Sequence, residues 1–204
     1  VGLGVEYTRG MRLLAAVAVP LSVGIAVLAP EIVAVLYGAQ WAPSVAPLQI
    51  LAAFGCFRAL WMLNGYLYNA IGKPQIDFYV SLSRLIVMGA LLYPLTVSYG
   101  IVGASVAVAM PMAGQFFVGS FLSQRFIGVS IALTLRPFAL AVGQGAVLGA
   151  VLLGAKLFVT SNPVIGLAIL IPLGAAACLM LNVQEVLAVW RSRTVRAAFS
   201  REGR

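Results

Sequence analysis

The sequence predicts an all-α membrane protein, a polytopic bundle of about six transmembrane helices, and three observations predict it. Apolar residues make up 62% of the chain and charged residues 9%, where a water-soluble domain is about a quarter charged. The charges stand between apolar blocks long enough to cross a bilayer. No alternating pattern of about ten residues recurs, so a barrel of membrane strands is excluded.

A spanning helix needs about 20 mainly apolar residues, because the hydrocarbon is roughly 30 Å thick and each residue rises about 1.5 Å. The first helix is expected near 11–29, with Pro20 inside it and Pro30-Glu31 at its end. The stretch 32–43 is too short to cross, and its Tyr37 and Trp41 suit the headgroup level. A long second helix is expected over 44–71, interrupted in polarity by Arg58, Asn64 and Asn69 and closed by Gly72-Lys73-Pro74-Gln75. Between Arg84 and Arg125 no charge occurs, a window about twice one span. It must fold back, and Ser98-Tyr99-Gly100 is the expected turn, giving helices near 78–97 and 101–122. After a polar-flanked connection over 123–136, two more helices are expected near 137–159 and 164–183, joined by Thr160-Ser161-Asn162-Pro163. Residues 1–10 are then a cytoplasmic N-terminal segment, 11–189 the membrane bundle and 190–204 a basic cytoplasmic tail.

Charge orients the bundle. The chain holds 13 Lys+Arg against 5 Asp+Glu. With six helices, Arg9, Arg12, Lys73, Arg125, Arg136 and the arginines of the tail fall on one side, and Lys156 falls on the other. Lys and Arg are retained in the cytoplasm during insertion, so both termini are expected there. The same distribution reads the basic charge as membrane anchors and not as a nucleic-acid surface. Cys56 and Cys178 lie within apolar runs on different helices and carry no redox signal. The chain opens at Val1 without a basic leader, apolar core and small-residue cleavage site in order. It is therefore expected to be the C-terminal part of a longer polypeptide.

Enzymatic chemistry finds little support. There is no His, and Glu6, Glu31, Asp77, Glu185 and Glu202 all lie near helix ends or in polar segments. No acid/base pair, metal-ligand cluster or phosphate-cradling glycine loop emerges, so no enzyme activity, metal or cofactor is expected. The residues that draw attention are polar ones inside spans. Arg58 lies about 20 Å along the axis from either end of its helix, too deep to snorkel with ease. Such a residue normally faces a bundle interior or a wet cavity. At about 100° per residue, Gly65 and Asn69 fall within about 20° of Arg58, whereas Asn64 lies about 120° away. Arg84 is within reach of the interface and serves as an anchor or as a cavity residue. Arg58, Asn69, Asn64 and Arg84 are thus the candidate substrate-binding residues. Two small-residue rows, Ala141-Gly145-Gly149 and Gly103-Ala107-Pro111, let helix backbones approach and are expected to pack within the chain.

A family resemblance attaches to residues 10–125. Pro30-Glu31-Ile32-Val33, Leu36-Tyr37-Gly38 with Trp41, Pro47-Leu48-Gln49-Ile50-Leu51 and Ala70-Ile71-Gly72-Lys73-Pro74 follow one another, and Tyr99-Gly100-Ile101-Val102-Gly103-Ala104 comes later. In that order and spacing they resemble the polysaccharide exporters and O-antigen flippases of the multidrug/oligosaccharidyl-lipid/polysaccharide superfamily. The resemblance implies the last six helices of a fourteen-helix, MATE-like flippase fold, with the N-terminal helices of the same polypeptide missing. It implies translocation of an undecaprenyl-diphosphate-linked oligosaccharide across the bacterial inner (plasma) membrane, by alternating access around a cationic cavity. Membrane lipids are the other implied partner, and nucleic acid is not one. Arg58 and Lys73 match positions often basic in the family. A multidrug or small-solute antiporter of the same superfamily is the alternative within transport. A non-transporting membrane subunit of a polysaccharide synthesis complex is the alternative outside it.

Overall fold

The computed structural model describes residues 2–127, 131–158 and 163–190. They form α1 (Gly2–Leu36), a short 3-10 helix (Ala39–Ser44), α2 (Val45–Ala70), α3 (Pro74–Ile127), α4 (Ile131–Phe158) and α5 (Pro163–Trp190). No strand occurs among the described residues. Helices suit this composition because each satisfies its own backbone polar groups where no water can. Four stretches are long and apolar enough to cross a membrane: Glu6–Leu36, Ala39–Ala70, Pro74–Phe126 and Leu135–Lys156. The apolar part of α5, Gly166–Cys178, is shorter. The chain is a membrane helical bundle. The basic tail from Arg191 and the Thr160-Ser161-Asn162 turn lie outside the described residues.

At about 1.5 Å per residue, α3 would run about 80 Å if straight, more than twice the hydrocarbon thickness. It is not straight. Gly100 leaves helical geometry at φ 59, ψ −137, a conformation that a residue with a Cβ rarely adopts. The halves 74–99 and 101–127 fold back on each other, with Gln115 Nε2 donating to Ser81 Oγ at 3.4 Å between them. Just beyond the turn the backbones touch, so a Cβ at Gly103 would collide with the Leu95 carbonyl. The reversal falls where Ser98-Tyr99-Gly100 announces it.

The first helix departs from expectation at both ends. Residues 2–10 are its opening turns, with Tyr7 buried, and it continues through Pro30 to Leu36. A proline removes one backbone donor and frees the carbonyl four residues earlier. Here the freed Ala26 carbonyl and its neighbour at Val27 find side chains from other helices. Gln49 Nε2 donates to the Ala26 carbonyl at 3.2 Å, and Lys156 Nζ donates to the Val27 carbonyl at 2.6 Å. With these partners the helix has no cause to stop at Pro30-Glu31.

The remaining turns use glycine where backbone geometry demands it. Gly38 takes φ 87 ahead of the 3-10 helix, which holds Trp41 against Tyr37 with ring centroids 6.1 Å apart. Gly72 takes φ 70 and closes α2 with Gly72 N–H to Asn69 O at 3.1 Å and Lys73 N–H to Tyr68 O at 2.9 Å. These bonds satisfy the last carbonyls of the helix, and Pro74 then begins α3.

The core is built on α1. Tyr7, Met11, Ala15 and Val19 recur every four residues and bury one face against Cys56, Leu60 and Leu67 of α2, Phe116 of α3 and Ala141 of α4. A second cluster joins Leu28 to Leu148, Leu152 and Leu170, drawing in α5. The Ala141-Gly145-Gly149 row meets α1. A Cβ at Gly145 would stand 3.1 Å from Val23 Cγ2 and 3.2 Å from Val19 Cγ1, and one at Gly149 3.2 Å from Val23 Cγ1. The small residues are thus used inside the chain, to bring α4 against two β-branched side chains.

Candidate functional site

α2 sorts its residues by face. Cys56, Leu60 and Leu67 turn toward α1, and Trp61 and Tyr68 turn toward the second half of α3. A third face is exposed along its whole length: Leu51, Gly55, Arg58, Met62, Tyr66 and Asn69, spaced by threes and fours. Arg58 lies mid-helix on this face, and among the described residues no hydrogen bond or ion pair reaches it. Asn69, about three turns along the same face, turns its amide back to the Gly65 carbonyl at 3.0 Å. Lipid cannot satisfy a guanidinium at that depth, which costs at least about 2.5 kcal/mol on insertion scales. The face therefore requires water or further protein in front of it.

Asn64 is held elsewhere. It is fully buried between α1, α2 and α3, where Tyr7 Oη donates to its Oδ1 at 2.8 Å and Ser123 Oγ donates to the same oxygen at 3.0 Å. One turn on, Tyr68 Oη donates to the Gly119 carbonyl at 3.0 Å. Gly119 is required at this crossing because a Cβ there would run into the Trp61 ring. Asn64 thus cross-links three helices. Arg84 lies in neither place. It is half-buried in a groove between the two halves of α3. The structure brings Arg58 and Asn69 onto one face and separates both from Asn64 and Arg84.

The remaining charges are placed to different ends. Glu31 Oε1 pairs with Lys156 Nζ at 2.9 Å, tying the end of α1 to the end of α4. Asp77 sits in the first turn of α3, where the helix dipole favours a carboxylate. Lys73 Nζ lies 4.4 Å from the centroid of the Phe126 ring, joining the α2–α3 turn to the last turns of α3. No group of three His, Cys, Asp or Glu able to hold a metal occurs among the described residues. Sequence reading passed over Tyr7 and Ser123. Both lie in stretches of ordinary polarity, and only the helix crossing gives them a common partner.

A family model described as polysaccharide biosynthesis protein matches residues 2–46. The chain is 24% identical over 177 residues to the teichuronic acid biosynthesis protein TuaB of Bacillus subtilis (strain 168). That alignment covers 85% of this chain and 36% of TuaB, so the chain spans little more than a third of that relative's length. No solved structure matches the chain significantly.

Proposed function

We propose, from the match of residues 2–46 to a polysaccharide biosynthesis family model and the similarity to TuaB, that the chain is the C-terminal part of a transporter that moves a lipid-linked oligosaccharide across the bacterial inner membrane. The substrate class is an undecaprenyl-diphosphate-linked oligosaccharide destined for cell-surface polysaccharide. The protein works as a flippase and not as an enzyme, with its termini in the cytoplasm. N-terminal helices of the same polypeptide supply the other wall of the pathway.

The observation that carries this reading is the exposed face of α2. Arg58 stands there mid-helix among Gly55, Met62 and Tyr66, without a partner among the described residues. A guanidinium offers a planar fork of donors suited to a diphosphate or an acidic sugar. Gly55 beside it leaves room, since a Cβ there would meet nothing within 4 Å. Cation-coupled antiport would require an available carboxylate inside the spans. Among the described residues Glu31 is committed to Lys156, while Glu6 and Asp77 lie in the opening turns of α1 and α3 rather than at mid-span.

Transport by the full-length protein, normalised to folded amount, tests the proposal. Arg58→Lys keeps the charge and loses the fork, so it retains part of the activity. Arg58→Gln loses both and abolishes flipping while the protein still folds. Equal normalised activity for Arg, Lys and Gln would assign Arg58 to packing and overturn the proposed role.

A further inference from the structure

The α3 hairpin contains a groove of about 280 Å³, open to one side and walled by Val80, Val87, Pro111 and Gly114. Three polar side chains reach its lining: Ser83, Arg84 and Gln115. Two are occupied. Ser83 Oγ donates to the Val80 carbonyl at 2.8 Å, and Gln115 is engaged with Ser81. Arg84 has no such commitment. Its Nε is shut off from solvent without a hydrogen-bond partner, and no ion pair reaches it among the described residues. A half-buried guanidinium whose Nε is desolvated and unfilled, beside an apolar groove, calls for an anion.

Depth and charge narrow the choice. Arg84 lies ten residues beyond Pro74, about 15 Å along the helix, so its long side chain reaches back to the phosphate level of the leaflet on the Lys73 side. The rest of the groove runs deeper along apolar side chains, a setting for a hydrocarbon chain. A single cation lines it, which balances the one negative charge of a phosphodiester. A diphosphate would leave charge uncompensated. We propose that this groove binds one glycerophospholipid from that leaflet, with its phosphodiester on Arg84 and one acyl chain lying between the two halves of α3. The site is separate from Arg58 and independent of what the transporter carries.

Gly114 provides a second, orthogonal handle. A Cβ there would meet nothing within 4 Å, and leucine is a better helix former than glycine. Gly114→Leu therefore projects bulk toward the groove from a position whose Cβ meets no neighbour. The test is native mass spectrometry of the delipidated full-length protein titrated with phosphatidylglycerol. The natural protein should retain one phosphatidylglycerol, and Arg84→Lys should bind within about threefold of it, since the charge is kept. Arg84→Gln should bind about tenfold more weakly, the worth of a charge-assisted hydrogen bond. Gly114→Leu should weaken binding as much with Arg84 still present, and it keeps the test decisive if Arg84→Gln fails to fold. Undiminished binding by Gly114→Leu, or displacement of phosphatidylglycerol by a lower concentration of a polyprenyl diphosphate, would overturn the assignment.

Discussion

Two asparagines in one helix show how little residue type decides. Asn64 and Asn69 differ by five positions, which at about 100° per residue sets them on opposite sides of α2. Asn64 is fully buried and receives two hydroxyl donors from other helices, whereas Asn69 is exposed and bonds within its own turn. Replacing Asn64 with Ala removes the buried acceptor that the Tyr7 and Ser123 hydroxyls share, at a cost of about 1–3 kcal/mol. Asn69→Ala should stay within about 0.5 kcal/mol. Thermal unfolding in detergent checks the ordering, and an Asn69→Ala protein less stable than Asn64→Ala would contradict the burial assigned here. The Gly119 crossing adds a steric condition to the same knot, because the Trp61 ring occupies the space a methyl group would need.

At the scale of elements, the long apolar run of α3 becomes two helices through one residue. Gly100 sits at φ 59, ψ −137, and its replacement by Ala imposes a strained backbone of order 1–3 kcal/mol. Gly100→Ala is therefore expected to lower the unfolding temperature, whereas Gly89→Ala, at a helical site with nothing within 4 Å of the added Cβ, should raise it slightly. Equal effects would show that the reversal does not depend on Gly100. Pro30 illustrates the opposite case. A helix-breaking residue is carried inside α1 because Gln49 and Lys156 take the carbonyls near it. Local propensity sets where a helix can end, and distant side chains decide whether it does.

For the whole molecule, the cations concentrate on one side if the α3 hairpin and its neighbours each cross the membrane. Insertion then places the Lys73 turn in the cytoplasm and the Gly100 turn outside. Gln75 and Ser98 are both exposed and lie at these two turns. In a protein lacking Cys56 and Cys178, a cysteine at Ser98 should react with an impermeant thiol reagent on intact cells. One at Gln75 should react only after permeabilisation. Labelling of Gln75 from outside would reverse the orientation. The exposed Arg58 face and the occupied Glu31–Lys156 pair lie on different parts of the bundle, so one charge stays without a partner among the described residues while another locks α1 to α4.

Composition and charge-free windows alone determined that this chain is a helical membrane bundle, because hydrocarbon admits few ways to satisfy a backbone and each leaves a length signature. The turns at Gly72 and Gly100 were legible for a related reason, since positive φ selects glycine locally. Helical spacing also put Arg58 and Asn69 on one face and Asn64 on another. What the spacing left undetermined was which face meets protein. Only the tertiary structure buried Asn64 against Tyr7 and Ser123, left the Arg58 face open, and set Arg84 in a groove between antiparallel halves. It also carried α1 past Pro30. These outcomes depend on partners from 23 to 129 residues away in sequence, and a chain read residue by residue does not disclose which distant side chain will supply a bond.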